Sequence, residues 1–283
     1  MTDYQSRERT TGLLVVVVAA LVVGAGLTAA GQSIVGEESQ DSSFLRVAHA
    51  SPDAPAVDIY VNNESTLTDV PFGTVSDYQS LPAGTYNVTI TAAGDRDAVV
   101  FDGKVTLEPR EVYTIAASGE VSEDAATDFE PVVYRDNALQ PQENMSAVSV
   151  IHLVPDAPTV DVTVAEDGTV VADNVSFRNA SDYVNVPAGN YTLQIREATA
   201  DDNGTVVTTI AVELEEETAY SAMAIGYLDT MAAPADTPFD VVLTEDVTVS
   251  LTFPDERPLQ AAEPIPANQS DGGGLNESAT EVG

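Results

Sequence analysis

His49-Ala50-Ser51-Pro52-Asp53-Ala54-Pro55, followed by Val57-Asp58-Ile59-Tyr60-Val61, recurs as His152-Leu153-Val154-Pro155-Asp156-Ala157-Pro158 and Val160-Asp161-Val162-Thr163-Val164. The only two histidines of the chain sit at matching places in the two copies. Upstream of them, Leu45 and Val47, and likewise Val148 and Val150, alternate with other residues. Downstream, Val57, Ile59 and Val61 share one face, with Asp58 and Tyr60 opposite. A period of two marks half-buried β-strands. Pro52 presets φ for a turn between them, and Asp53 suits the position after it.

The repetition extends well beyond this stretch. Phe72 to Tyr78 (FGTVSDY) is echoed by Phe177 to Tyr183 (FRNASDY), and Leu81-Pro82-Ala83-Gly84-Thr85-Tyr86 by Val186-Pro187-Ala188-Gly189-Asn190-Tyr191. Tyr113, Gly119 and Val132-Val133-Tyr134 return as Tyr220, Gly226 and Val241-Val242-Leu243. The spacing drifts from 103 residues at the histidines to 109 at the last echo, as loop insertions in a tandem duplication would make it. A period this long means two whole domains. Further short runs at 86–90, 99–107, 112–117 and 131–134, separated by turn signals, predict sandwiches. In each Pro-Ala-Gly-x-Tyr element the tyrosine stands at a strand start, where its hydroxyl can bond back to the loop. That arrangement resembles the tyrosine corner of immunoglobulin-like sandwiches.

Charge narrows the function classes. The 283 residues carry 46 acidic and 10 basic side chains, a formal net charge of -36, and Lys104 is the only lysine. Binding nucleic-acid phosphates needs clustered Lys and Arg, so DNA and RNA are excluded as partners. Such charge repels itself in dilute buffer and is screened by salt, which predicts a halophilic protein. With no cysteine, disulfides, thiolate nucleophiles and Cys-ligated metals are excluded.

The ends have their own character. Leu13 to Ala30 is almost wholly apolar behind a segment bearing Arg7 and Arg9. It predicts an apolar helix, either a membrane anchor or a signal cleaved near Ala30, and an exported remainder. Residues 1–31 are thus anchor or signal and 32–43 an acidic spacer. The expected sandwiches span 44–137 and 147–253, with 138–146 as linker and 254–283 as a disordered acidic tail. Val247 to Phe253 is one last alternating run.

Nine N-x-S/T sequons suit an exported chain. Asn63, Asn144, Asn174, Asn179, Asn203, Asn268 and Asn276 are the glycosylation candidates; Asn87 and Asn190 lie near strand starts.

The histidine motif permits two readings. Each histidine ends an apolar stripe, so the imidazole can latch the following loop by hydrogen bonds. The sharper alternative is a metal site, with His49, Asp53 and Asp58 as ligands and His152, Asp156 and Asp161 as their counterparts. Catalysis finds little support. Ser51 could join His49 and Asp58 in a nucleophilic set, yet Val154 replaces it in the second copy. The acidic loops at Asp95-Arg96-Asp97 and Asp201-Asp202-Asn203-Gly204 lack EF-hand spacing.

Arg46 to Val61 (RVAHASPDAPAVDIYV) closely resembles the opening of the family known as domain of unknown function 4397, and Leu81 to Tyr86 resembles its middle motif. The second copy departs at Leu153-Val154 and at Thr163. The resemblance implies exported β modules, often in tandem, and supplies no catalytic residue. The expectation is an all-β chain of two tandem immunoglobulin-like sandwiches, serving without a cofactor as a cell-surface structural or binding module for adhesion or envelope organisation. Its expected partner is a surface protein or glycan. A metal- or small-ligand-binding module built on the histidine loops, and an extracellular hydrolase with paired carboxylates, are the rivals.

Overall fold

The computed structural model describes residues 42–248 apart from 124 and 137. The expected apolar helix, the tail, most of the spacer and the end of the 247–253 run lie outside the described residues. Among the described residues, no helix is long and apolar enough to cross a membrane.

The first copy holds β1 (Ser42–His49), β2 (Val57–Val61), β3 (Glu64–Val70), β4 (Gln79–Pro82), β5 (Gly84–Ala92), β6 (Val99–Leu107), β7 (Val112–Ser118) and β8 (Glu130–Arg135). The second repeats them as β9 (Met145–His152), β10 (Val160–Val164), β11 (Val170–Val175), β12 (Val184–Pro187), β13 (Gly189–Glu197), β14 (Val206–Leu214), β15 (Ala219–Ile225) and β16 (Asp240–Asp246). Each copy is a β-sandwich, as the alternation predicts. Sheet β4-β1-β7-β8 covers β3-β2-β5-β6, and sheet β12-β9-β15-β16 covers β11-β10-β13-β14. β1 runs parallel to β7, and β9 to β15. The period of two finds strands but carries no direction.

Alternation builds each core. Leu45, Val47, Val57, Ile59, Val88, Ile90, Tyr113 and Ile115 gather in the first sandwich, and Val148, Val150, Val160, Val162, Leu193, Ile195 and Tyr220 in the second. Each such side chain contributes about 1.5–3 kcal/mol by leaving water. The Tyr86 hydroxyl donates to the Pro82 carbonyl at 2.6 Å and that of Tyr191 to Pro187 at 2.7 Å, the expected bond back to the loop.

Two boundaries differ from expectation. β1 begins at Ser42, inside the spacer, and β9 begins at Met145, inside the linker. The rest of the linker is docked rather than free. Ala138 is fully buried beside Ala147 and Ala219, and Gln140 donates to the Glu217 carbonyl at 2.6 Å. The alternation also passes over β3, a sheet-edge strand with four of seven residues exposed. Edge strands are kept polar, which hides them from a hydrophobic pattern.

In the two facing sheets β7 and β15 are covered on both faces and buried along their whole length. Ala48, Ala50 and Ala116 turn away from their own core and pack with Ile151, Leu153, Met223 and Ile225 of the other copy. The two sandwiches therefore share a seam, sheet β4-β1-β7-β8 against β12-β9-β15-β16, inside one compact unit. Four repeat-related positions of the seam are small in the first copy and large in the second. Ala48 and Ala116 pair across β1 and β7 where Ile151 and Met223 pair across β9 and β15. Ala50 answers to Leu153, and Gly73 to Arg178. Two identical faces of large side chains would collide, whereas this division of bulk lets them interdigitate.

Candidate functional site

The histidine loops are the same in both copies. His49 and His152 are 1% exposed. Nε2 of each lies 3.0 Å from a carbonyl six residues on, Pro55 or Pro158, and therefore carries the proton that it donates. Nδ1 of His152 accepts the Val154 amide at 3.3 Å, and no hydrogen bond reaches Nδ1 of His49. Phe72 and Phe177 meet the imidazoles edge-on at 6.2 Å, which joins the first repeated motif to the second. Burial lowers both histidine pKa values below the usual 6.5, against a smaller opposing effect of the proline carbonyls.

The aspartates of the same motif hold backbone amides. Asp53 accepts from Val121 and Ser122 at 2.9 Å each, and Asp156 from Leu228 and Asp229 at 2.9 and 2.8 Å. Asp58 takes the Asp69 and Gly94 amides, and Asp161 those of Asn174 and Thr199. Thus the imidazoles and carboxylates all anchor loops. Ser51 donates to the Gly119 carbonyl at 2.6 Å rather than to His49. Among the described residues, the one group with carboxylate oxygens close enough to share an ion is Asp161, Asp173 and Asp202, within 4.8 Å of one another.

A second polar site, which sequence reasoning missed, lies in the seam. Arg46 on β1 is 1% exposed. Its guanidinium stands 2.6 Å from Asp246 and 3.8 Å from Asp136, donates to Thr114, Thr244 and the Glu245 carbonyl, and lies 4.5 Å over the Tyr78 ring. Asp136 accepts from Thr114 at 2.5 Å and Tyr78 at 2.9 Å, both on Oδ2. Asp246 accepts from Tyr183 at 2.7 Å and Ser221 at 2.8 Å. Burial, opposed by its hydrogen bonds and Arg46, pushes the Asp136 pKa up to about 6. Signals for this cluster were present: an arginine between Leu45 and Val47, and a repeated Ser-Asp-Tyr whose tyrosines bind the two carboxylates.

Beside the cluster is a cavity of about 420 Å³, lined by Tyr134, Asp136 and Leu139 from one side and Ser149, Asp182 and Tyr183 from the other. Volumes of this order hold small ligands.

The sequons Asn63, Asn87, Asn144, Asn174, Asn179, Asn190 and Asn203 are all exposed, whereas Asn268 and Asn276 lie outside the described residues. Asn63 accepts from Arg96 at 2.5 Å.

The chain belongs to the family described as "Domain of unknown function (DUF4397)", which it matches over residues 43–163 and 146–252. These are the tandem copies expected from the repeat. No curated protein matches the chain. Among solved structures it is similar to the Bacillus anthracis TIE protein at 14% identity and TM-score 0.22, over 66% of this chain and 34% of that one. It is similar to a family 26 carbohydrate-binding module of Eubacterium rectale Amy13K, in complex with maltoheptaose, at 13% and 0.23, over 76% and 98%. A leucine-rich repeat protein of Bacteroides thetaiotaomicron gives 13% and 0.19, over 66% and 26%. The chain thus spans about a third of the first of these proteins and about a quarter of the last. At TM-scores this low the likenesses carry no argument about function.

Proposed function

We propose that this is a non-enzymatic, exported module of a halophile's cell surface, in which two sandwiches form one rigid body for binding or envelope organisation. The observation that carries the reading is the seam. The repeated face is spent on joining the copies, and the motif residues that resembled a reactive site are spent on loop backbone. A rigid body with a lined cavity suits recognition. The hydrolase reading needs two carboxylates facing one substrate. Asp136 and Asp182 both line the cavity, but Asp136 is already engaged by Thr114, Tyr78 and Arg46. The apolar N-terminal segment and the exposed sequons support export, with a surface protein or glycan as partner and the membrane as anchor point.

The test is an epitope tag at the C-terminus of the full chain, probed by antibody on intact cells of a salt-adapted host. Labelling of intact cells is expected. A tag reached only after lysis contradicts the surface reading.

A further inference from the structure

Arg46 has a counterpart by repeat, and it is Ser149. Arg46 pairs with Thr114 across β1 and β7, as Ser149 pairs with Ser221 across β9 and β15. The groups around Arg46 have counterparts too: Tyr78 answers to Tyr183, Asp246 to Asp136, and Thr244 to Tyr134, because the strand pairings set β16 one residue off the Tyr134–Leu243 echo read from the sequence. Tyr183, Asp136 and Tyr134 all line the cavity, with Ser149 on its wall. The cavity therefore repeats the surroundings of a buried guanidinium at the place where the second copy has no arginine.

We propose that this cavity binds a guanidinium or alkylammonium group, supplied by a free small cation or by a partner's arginine side chain. Four further observations support it. Tyr134 is only 8% exposed, lines the cavity, and its hydroxyl has no hydrogen-bond partner. A buried hydroxyl without a partner carries a free-energy cost that a ligand can remove. Arg46 is one cation for two carboxylates and sits 1.2 Å nearer Asp246 than Asp136. Both hydroxyls that reach Asp136 bond to Oδ2. Arg135, the one cationic residue of the lining, is engaged elsewhere, 3.8 Å from Glu108 and over the Tyr113 ring. A planar cation in the cavity would meet the Asp136 carboxylate, the Tyr134 hydroxyl and the Tyr183 ring, as Arg46 meets Asp246, Thr244 and Tyr78.

The inference rests on the two sandwiches forming one body. Its test is calorimetric titration of the full chain at fixed chloride with ethylguanidinium, with the uncharged isostere ethylurea, and with a blocked Gly-Arg-Gly tripeptide. Saturable binding of ethylguanidinium is expected, with ethylurea at least about tenfold weaker. Tighter binding of the tripeptide assigns the site to a partner's arginine; weaker or equal binding assigns it to a free cation. Ser149→Arg should supply the missing guanidinium, abolish binding and raise the melting temperature. Tyr134→Phe should weaken binding roughly three- to tenfold without lowering stability. No saturable binding of either cation overturns the proposal, as does full affinity in a folded Ser149→Arg protein. Should Ser149→Arg not fold, unchanged affinity in Tyr134→Phe overturns it instead. A null titration on a chain that still unfolds in one step refutes the ligand alone and leaves the rigid-body reading standing.

Discussion

Glu120 and Tyr227 hold the same place in the two copies, and they hydrogen-bond to each other, the Tyr227 hydroxyl donating to Glu120 Oε1 at 2.8 Å. Repeat-related residues in mutual contact are the mark of an isologous, two-fold interface, here formed within one chain. Gly119 and Gly226 place the pair. Each has φ above +80°, and a Cβ would stand 2.1 Å from the Asp128 carbonyl or 2.4 Å from that of Pro238. Thr127 binds the other Glu120 oxygen through its amide and hydroxyl. Tyr227→Phe leaves Oε1 buried without its donor. It should cost about 1–3 kcal/mol in denaturant unfolding of the full chain. An unchanged midpoint would show that the contact is idle.

Arg46 is the electrostatic centre of the seam. Arg46→Met leaves Asp136 and Asp246 buried with no cation between them. Removing one partner of a buried pair typically costs about 3–5 kcal/mol, and that loss is expected in chemical denaturation at neutral pH. A loss below about 1 kcal/mol would mean that the carboxylates are solvated or protonated in the native state.

Acid should act through the histidines. Their folded pKa values lie below 6.5, so the unfolded chain binds protons first as pH falls. Their contribution to stability is complete above pH 6.5 and is lost as pH drops toward the lowered folded values. Asp136 works the other way. Its folded pKa of about 6 exceeds the ordinary 3.8, so acidification between those values favours the folded state. Comparing wild type with a His49→Gln, His152→Gln double variant separates the two. Relative to the variant, wild type should lose stability as pH falls through 6.5 toward the lowered folded values. Parallel curves would contradict neutral, buried imidazoles.

Salt should stabilise the fold. A net charge of -36 repels itself over a Debye length of about 10 Å at 0.1 M salt, falling to about 3 Å at 1 M. The melting temperature should therefore climb steeply from dilute to molar salt. Equal values in both would refute the halophilic reading.

Much of the fold was legible in the sequence. Alternation around His49 and His152 marks β1, β2, β9 and β10, and the Tyr86 and Tyr191 elements mark the corner turns. What stayed hidden was the seam. A strand buried on both faces reads as a continuous apolar run rather than an alternating one, and Val112 to Ala117 is such a run. The replacement of Ala50 by Leu153 looked like divergence in a loop motif, whereas it is one half of a size match between the copies. Arg46 was equally hard to read, because its partners Thr244 and Asp246 lie about two hundred residues away. The histidine motif drew notice because histidine is rare in the chain, yet its histidines and aspartates turned out to hold backbone.

The central claim is that two tandem copies form one structural unit through their seam. Equilibrium unfolding of the full chain in high salt, followed by calorimetry and by tyrosine fluorescence, tests it most directly. A single transition, with equal calorimetric and van't Hoff enthalpies, is expected for wild type. Ala116→Leu, which overfills the fully buried centre of the seam, should lower or split that transition. Two separate transitions in wild type, with Ala116→Leu leaving both unmoved, would contradict the account.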